Sequence, residues 1–103
     1  MNNDSTLPSI CIPRVFHTVS KYEVVNTFET ILGKGSVSRV DMNYMRDGLS
    51  GHYRVFVHFS NKCINNAQYD LMSSRLRNGF DVKIVYSNPW FWKCSVSRAN
   101  KSV

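Results

Sequence analysis

Hydrophobic and polar positions along the chain predict four strands and two helices, in the order βαββαβ. Residues 10–16 form a short apolar run, and residues 37–45 alternate between apolar and polar side chains. Residues 52–59 and 82–86 are the third and fourth strand segments. In the two segments between these strands, apolar side chains recur three and four positions apart, which is typical of helices that bury one side.

The first helix has the clearest boundaries. Ser20 and Glu23 have the spacing of a capping box at its start, and Gly33 and Gly35 provide its end. The apolar stripe of this helix is predicted to consist of Val24, Val25, Phe28, Ile31 and Leu32.

The second helix is predicted to begin after Asn65 or Asn66 and to end at Gly79. Its side chains predicted to face the core are Ala67, Leu71, Met72 and Leu76. Residues 46–51, rich in glycine and small polar side chains, are predicted to form the turn between the second and third strands.

This order of elements predicts an α+β fold, the ferredoxin-like βαββαβ sandwich, with two helices on one face of a four-stranded antiparallel sheet. The other face of such a sheet is left open, and strand periodicity assigns each side chain to one face. Toward the helices we expect Ile10, Ile12, Val55, Val57, Ile84 and Tyr86. On the open face we expect Cys11, Arg54, Phe56, Lys83 and Val85.

Residues 52–59 combine two chemically different sides. One side holds Tyr53, Val55, Val57 and Phe59. The other holds His52, Arg54, Phe56 and His58. A flat ring beside a guanidinium group is suited to stacking on nucleobases, so this side predicts a nucleic-acid partner. Arg54 can stack on a base, hold a phosphate or pair with Asp41 across the sheet.

The same strand resembles the central motif of RNA recognition motif (RRM) domains, which runs basic–Gly–aromatic–Gly/Ala–aromatic–aliphatic–any–aromatic. The positions that match are His52, Phe56, Val57 and Phe59. Tyr53 replaces the glycine, Arg54 replaces a stacking aromatic residue and Val55 replaces a small residue. The resemblance implies an RRM-like fold that binds RNA on its open sheet face.

Residues 10–15, Ile-Cys-Ile-Pro-Arg-Val, resemble the partner motif on the first strand of RRM domains. That motif runs aliphatic–aromatic–aliphatic–any–Asn–Leu, and Cys11 stands where the second stacking ring belongs. The family's two-ring platform is therefore half missing in this chain.

Composition and charge narrow the class of partner. The chain has 103 residues, enough for one domain, and 13 Lys and Arg against 7 Asp and Glu give a net charge of +6. This excess favours a polyanion. Three widely spaced cysteines predict neither a disulfide framework nor a zinc site, and indicate a reducing, intracellular compartment. We expect no signal peptide, because residues 1–9 are polar, and no membrane association, because no apolar run is long enough to span a bilayer.

Residues 88–93, Asn-Pro-Trp-Phe-Trp-Lys, interleave aromatic and cationic side chains and can extend a single-strand binding track. Two other interpretations stay open: at least one of these rings fills the core, or the segment lies across the open face and covers Phe56. The residues predicted to bind nucleic acid are Arg14, His52, Arg54, Phe56, Lys83, Trp90, Trp92 and Lys93.

We therefore expect non-enzymatic binding of a single-stranded nucleic acid, RNA ahead of DNA, by base stacking and phosphate contacts. The alternative is an RRM-like module that binds another protein through the sheet face or through residues 90–92. The three histidines, three cysteines and seven carboxylates form no local catalytic or metal-binding motif. No metal, cofactor or small-molecule substrate is expected.

Residues 9–16 and 88–93 also resemble segments of small RRM-like proteins of giant DNA viruses. That resemblance implies a viral structural or regulatory protein in host cytoplasm, a replication factory or the virion. We expect one RRM-like domain over residues 8–98, including an aromatic and basic extension at 87–98. Residues 1–7 are predicted to be disordered and residues 99–103 flexible.

Overall fold

The computed structural model describes residues 7–97, which form two helices and one five-stranded antiparallel sheet. In chain order the elements are β1 (Ile10–Phe16), α1 (Lys21–Leu32), β2 (Val37–Asp47), β3 (Ser50–Phe59), α2 (Ala67–Arg77), β4 (Val82–Ser87) and β5 (Trp90–Val96). The strand order across the sheet is β2-β3-β1-β5-β4. The α+β class is confirmed.

The predicted number of four strands is wrong, because the segment 87–98 is not an extension beyond the sheet. Within it β5 is hydrogen-bonded between β1 and β4. From the sequence Pro89 indicates a loop after the fourth strand, whereas in the structure it lies in the turn that joins β4 to β5. Trp92 and Cys94 are buried and the residues between and before them are exposed, which is the alternation of a strand with one covered face.

The first helix follows the prediction closely. Ser20 is the N-cap, its hydroxyl accepts from the Glu23 N–H, and the Glu23 carboxylate accepts from the Ser20 N–H. Gly33 is the C-cap, with a φ of 107°. The buried side chains are Val24, Phe28 and Leu32, while Ile31 is exposed.

The second helix is rotated relative to the prediction. Asn66 is its N-cap and accepts from the Tyr69 N–H at 2.9 Å. Leu71, predicted to lie in the core, is 64% exposed. The buried residues are Tyr69, Met72, Ser73 and Leu76, which have the i, i+3, i+4, i+7 spacing of one helix face. The Tyr69 hydroxyl reaches the Pro8 carbonyl at 3.1 Å, so the buried phenol is hydrogen-bonded.

Aromatic rings connect the helices to the sheet in one core. Phe28 packs edge-on against Phe59, with ring centroids 6.0 Å apart, and stacks on Trp92 at 6.4 Å. Trp92 also stacks on Tyr86, with centroids 4.5 Å apart and an interplanar angle of 15°. Phe59 in turn meets Tyr69 of the second helix at 5.2 Å. The side chains predicted to face the helices are buried or, for Tyr86, partly buried, so this assignment is confirmed.

The first strand contains a β-bulge. Ile12 lies opposite Val55, but Val15 lies opposite Tyr53, so β1 has one more residue than β3 in this interval. Pro13 lies in the bulge, and proline has no N–H for the ladder of either neighbour. On its other side β1 pairs with β5 through Ile10 and Cys11, before the bulge.

The β2–β3 hairpin is longer than the sequence predicts. Asp47 still pairs with Ser50, so the turn is only residues 48 and 49 rather than 46–51. Gly48 has a φ of 67°, which a glycine adopts without strain at the first position of a two-residue hairpin loop.

The predicted terminal segments fall largely outside the described part of the chain, at residues 1–6 and 98–103. Leu7, predicted to belong to the disordered N-terminus, packs against the core. Within residues 7–97, neither helix has the length and apolar character needed to cross a membrane.

Replacing Phe28 with alanine tests the central place of this ring in the core. Phe28 is fully buried, so we expect Phe28→Ala to lower the free energy of unfolding by about 3–5 kcal/mol. The measurement is equilibrium denaturation in urea. Phe80→Ala is the matched control, because that ring is exposed and its loss should cost less than about 1 kcal/mol. Equal losses for the two variants would contradict this description of the core.

Candidate nucleic-acid interface

The side of the sheet opposite the helices is the open face. Across its centre Cys11 of β1 lies opposite Phe56 of β3, and Phe56 lies opposite Asp41 of β2. Cys11 and Phe56 are partly exposed. Arg54, Lys83 and Val85 are exposed, so all five side chains predicted for this face are found outside the core.

Arg54 and Phe56 lie two residues apart on β3, and their side chains therefore share the open face. Arg54 is exposed and forms no salt bridge with any carboxylate in residues 7–97. Pairing with Asp41, one of the three roles open to Arg54, is not found, since Arg54 lies opposite Asn43. The Arg54 guanidinium is thus available to a ligand.

Asp41 belongs instead to a polar network on the β2 side of the open face. Its carboxylate accepts from His58 Nε2 at 3.0 Å and pairs with the Arg39 guanidinium at 3.2 Å. On the other side of the ring, Ser9 Oγ lies 2.7 Å from His58 Nδ1. With the proton of a neutral His58 on Nε2, the ring donates to Asp41 and accepts from the Ser9 hydroxyl.

This network holds the Asp41 carboxylate in its charged form. Partial burial alone would raise the pKa of Asp41, but the hydrogen bond from His58 and the positive charge of Arg39 outweigh it. The pKa of Asp41 therefore lies below its ordinary value of 3.8. The negative charge that Asp41 brings to the open face is compensated by the Arg39 guanidinium and stabilised by the hydrogen bond from His58.

Ser9, His58 and Asp41 are the residue types of a nucleophilic triad, and here they link neighbouring strands. Ser9 is only 6% exposed, and it directly precedes β1, which pairs with β3. Its hydroxyl is hydrogen-bonded to His58 across the sheet, so we interpret the network as polar contacts that join three neighbouring strands.

Lys83 and Lys93 lie directly opposite each other on β4 and β5, and both are exposed. Like charges at opposed positions destabilise a strand pair, so other contacts must hold them. The Lys83 ammonium lies 4.9 Å from the centroid of the Phe91 ring, and Lys93 reaches Asp81 at 3.5 Å. Two ammonium groups are therefore present at this edge of the open face, each with its own stabilising neighbour.

The three rings of residues 90–92 have separate positions. Trp92 is 3% exposed and stacked within the core, so its prediction as a ring that contacts nucleic acid is corrected, and the interpretation that one ring fills the core is confirmed. Trp90 is 65% exposed, and Phe91 is exposed beside Lys83. Because the segment is a strand within the sheet, it does not lie across Phe56.

A cleft of about 670 Å³ opens where β5 and β1 diverge beyond their pairing at Cys11 and Ser95. We call it the β1–β5 cleft. Its lining residues include Arg14, Phe16, His52, Tyr86, Trp90 and Trp92. At the rim, Arg14 Nη1 lies 3.3 Å from His52 Nδ1, and Arg14 Nη2 lies 3.4 Å from the Asp47 carboxylate. Three of the predicted contact residues, Arg14, His52 and Trp90, thus line the same cleft.

Burial shapes the chemistry of the three cysteines. Burial raises the pKa of the Cys63 thiol and, together with nearby Cys11 and Asp81, raises the pKa of Cys94 to about 12. Partial burial also raises the pKa of Cys11, although the positive charge of Arg54 opposes it. Within residues 7–97, no three His, Cys, Asp or Glu side chains are grouped so that they could hold a metal ion.

Comparisons of the chain with protein families, with curated proteins and with solved structures find no match. Of the eight predicted contact residues, the structure places Arg54 and Phe56 at the centre of the open face. It places Lys83 and Lys93 at the edge and Arg14, His52 and Trp90 around the cleft.

Alkylation should separate the cysteines by their burial. At a pH of about 8 we expect iodoacetamide to modify Cys11 in the folded protein, because only Cys11 is partly exposed, and all three thiols after denaturation. Mass spectrometry of the labelled peptides gives the measurement. Cys11→Ser should abolish labelling of the folded chain, and rapid labelling of Cys94 in that variant would contradict its burial.

Acid should reveal the contribution of Asp41. Because its pKa is lowered in the folded protein, the ionised carboxylate stabilises the fold above the ordinary value of 3.8, and that contribution is lost as the pH falls through the lowered pKa. Asp41→Asn should be less stable than the wild type at neutral pH, with a difference that shrinks in denaturation curves below about pH 4. A difference that is the same at every pH would contradict the network.

Proposed function

We propose that this protein is a non-enzymatic binder of single-stranded nucleic acid and that it uses the open face of its sheet. The observation that supports this most directly is the pair formed by Arg54 and Phe56. A partly exposed ring and an exposed guanidinium without a carboxylate partner in residues 7–97 lie side by side at the centre of a face that no helix covers. Both groups can stack on any of the bases, so this contact does not depend on the nucleotide sequence.

The cations at the edge of the face support a phosphate ligand. Lys83 and Lys93 lie opposite each other on β4 and β5, and a phosphate at this edge would be attracted by both ammonium groups, of which Lys93 already pairs with Asp81. The net charge of +6 acts in the same direction. A nucleic-acid strand that runs from Phe56 toward β4 would stack its bases near Phe56 and place its phosphates near the lysines of β4 and β5.

One ring at the centre of the platform limits the strength of stacking. Cys11 lies directly opposite Phe56, where a second ring would double the stacking surface. Each stacked base contributes about 1–3 kcal/mol, so we expect modest affinity, low sequence preference and strong dependence on charge. RNA is placed ahead of DNA on the RRM resemblance alone.

We infer that the fold is a five-stranded variant of the ferredoxin-like, RRM-like arrangement. The chain order is compatible with this, because each helix connects two strands of the same sheet that are not neighbours in it. Strands β1 and β3 are adjacent at the centre, and β5 lies between β1 and β4. The relation to giant-virus proteins stays a prediction.

A second candidate function is protein binding through the end of the sheet near β5. The observation that favours it is a set of exposed apolar side chains on β1, β4 and β5: Phe16, Val85, Trp90 and Phe91. Exposed apolar groups that lie close together commonly mark protein interfaces. Salt separates the two functions, because phosphate contacts weaken steeply as salt rises and an apolar interface does not.

The test is fluorescence anisotropy with a labelled mixed-sequence single-stranded RNA and the matching DNA at two salt concentrations. Phe56→Ala and Arg54→Ala should each weaken binding by about 1–3 kcal/mol, because each removes one stacking partner. Lys83→Ala should lower the slope of log affinity against log salt by about 0.7, the value for one phosphate contact on a single strand.

Phe80→Ala and Arg77→Ala are the matched controls, since both side chains are exposed and both are away from the open face. They should leave the affinity unchanged. Equal effects of the control and open-face variants would show that binding follows net charge only. Absence of binding at low salt would contradict the proposed function and favour the protein-binding candidate.

A further inference from the structure

We propose that the β1–β5 cleft is a second binding site, which takes one nucleotide with its base between Phe16 and Trp90 and its phosphate at Arg14. This inference rests on the proposed function for its ligand class, but it concerns different residues. None of the groups at the centre of the open face, Arg54 and Phe56 included, lines the cleft.

The cleft follows from the bulge in β1 and from the proline within it. The bulge at residues 13 and 14 and the missing N–H of Pro13 interrupt regular pairing at this point. Beyond it β5 pairs with β4 but has no register partner on β1. A gap in the middle of a sheet is thus built into the backbone and does not depend on side-chain rotation.

The base of the cleft is formed by rings that the core holds in place. Trp92 and Tyr86 both line it, and they stack on each other at a centroid distance of 4.5 Å. Trp92 is further supported by Phe28 behind it. Because Trp92 is 3% exposed, a ligand would contact chiefly the partly exposed Tyr86 ring, which this stack holds in place and which therefore needs little ordering on binding.

The sides of the cleft carry two rings with few contacts of their own. Phe16 at the end of β1 is 70% exposed, and Trp90 at the start of β5 is 65% exposed. These strands border the cleft from opposite sides. Large exposed rings on both sides of a gap favour a flat ligand that can stack on them.

The cationic lining of the cleft favours a flat ligand that carries a negative charge. Arg14 and His52 line the cleft, and none of its lining residues in the described chain is acidic. Asp47 contacts Arg14 only through an exposed ion pair at 3.4 Å, which a phosphate can displace at small cost. The hydroxyls of Ser50 and Ser87 add hydrogen-bonding groups for the edge of a base.

A proline-rich peptide is the other ligand that aromatic grooves commonly take. It offers neither the planar ring nor the negative charge that the cleft's cations match. The volume of about 670 Å³ lies within the usual range for small-ligand sites and is large enough for a nucleotide. Base stacking together with a phosphate at Arg14 accounts for both the rings and the charge.

Two probes test the proposal that the cleft binds a nucleotide. The first is a labelled single-stranded RNA octamer, measured by anisotropy with Phe16→Ala, Trp90→Ala, Trp90→Phe and the control Phe80→Ala. We expect each alanine variant in the cleft to bind about five- to 150-fold more weakly, as for the loss of one stacked base. Trp90→Phe, which keeps a ring, should bind within about threefold of the wild type, and Phe80→Ala should be unchanged.

The second probe is adenosine 5′-monophosphate, which is too small to span the cleft and the open face together. We expect it to quench the tryptophan fluorescence of the wild type, and to do so more weakly in Phe16→Ala, in Arg14→Ala and in Trp90→Phe, whose one remaining indole is the buried Trp92. Phe56→Ala should not alter this quenching, because Phe56 lies outside the cleft.

The outcomes separate the two proposals. If Phe56→Ala weakens octamer binding but Phe16→Ala and Trp90→Ala do not, the open face is the binding surface and the cleft inference is overturned. If the octamer does not bind at all, the proposed function fails, and quenching by the mononucleotide that depends on Phe16 still supports the cleft. No quenching, or displacement of the mononucleotide by a proline-rich peptide of neutral charge, would overturn the inference.

Discussion

The stacking of Phe28, Trp92 and Tyr86 is the interaction on which the rest of the structure depends. It fixes β5 against α1, and so the aromatic C-terminal segment becomes a strand of the sheet rather than a flap over it. With Trp92 turned to the core, Phe91 must turn to the other face, beside Lys83. One buried indole therefore keeps the open face uncovered and places a cation at its edge.

Sequence patterns were sufficient to predict the elements that residues close together in the chain determine. The Ser20–Glu23 capping box and the alternation along residues 52–59 were predicted correctly, because each depends on neighbours within a few positions. The phase of α2 was not, since Leu71 and Tyr69 are both apolar enough for the core and only packing decides between them. The predicted number of strands was wrong for a related reason: Pro89 signals a turn but not the direction of the chain after it.

The candidate interface divides in the same way. Arg54 and Phe56 could be placed on one face by periodicity, and so could Arg39 and Asp41, which are two residues apart on β2. The position of His58 between Ser9 and Asp41 could not, because it depends on the register between strands. The cleft had one sequence signal, a proline inside a strand. That residue implies a bulge, but the divergence of the neighbouring strand depends on contacts far along the chain.

Strand β5 pairs with β1 at one end only, so the sheet consists of two units that few backbone pairs join. The ladder of β2, β3 and β1 is continuous through its bulge, whereas the β4–β5 hairpin joins it through pairs at Ile10 and Cys11 only. The hairpin is also held by its side chains, because Ile84, Trp92 and Cys94 are buried in the shared core. A local opening that leaves this core intact can therefore separate only the unpaired ends of β1 and β5, and a ligand that enters between them acts where few backbone hydrogen bonds join the two units.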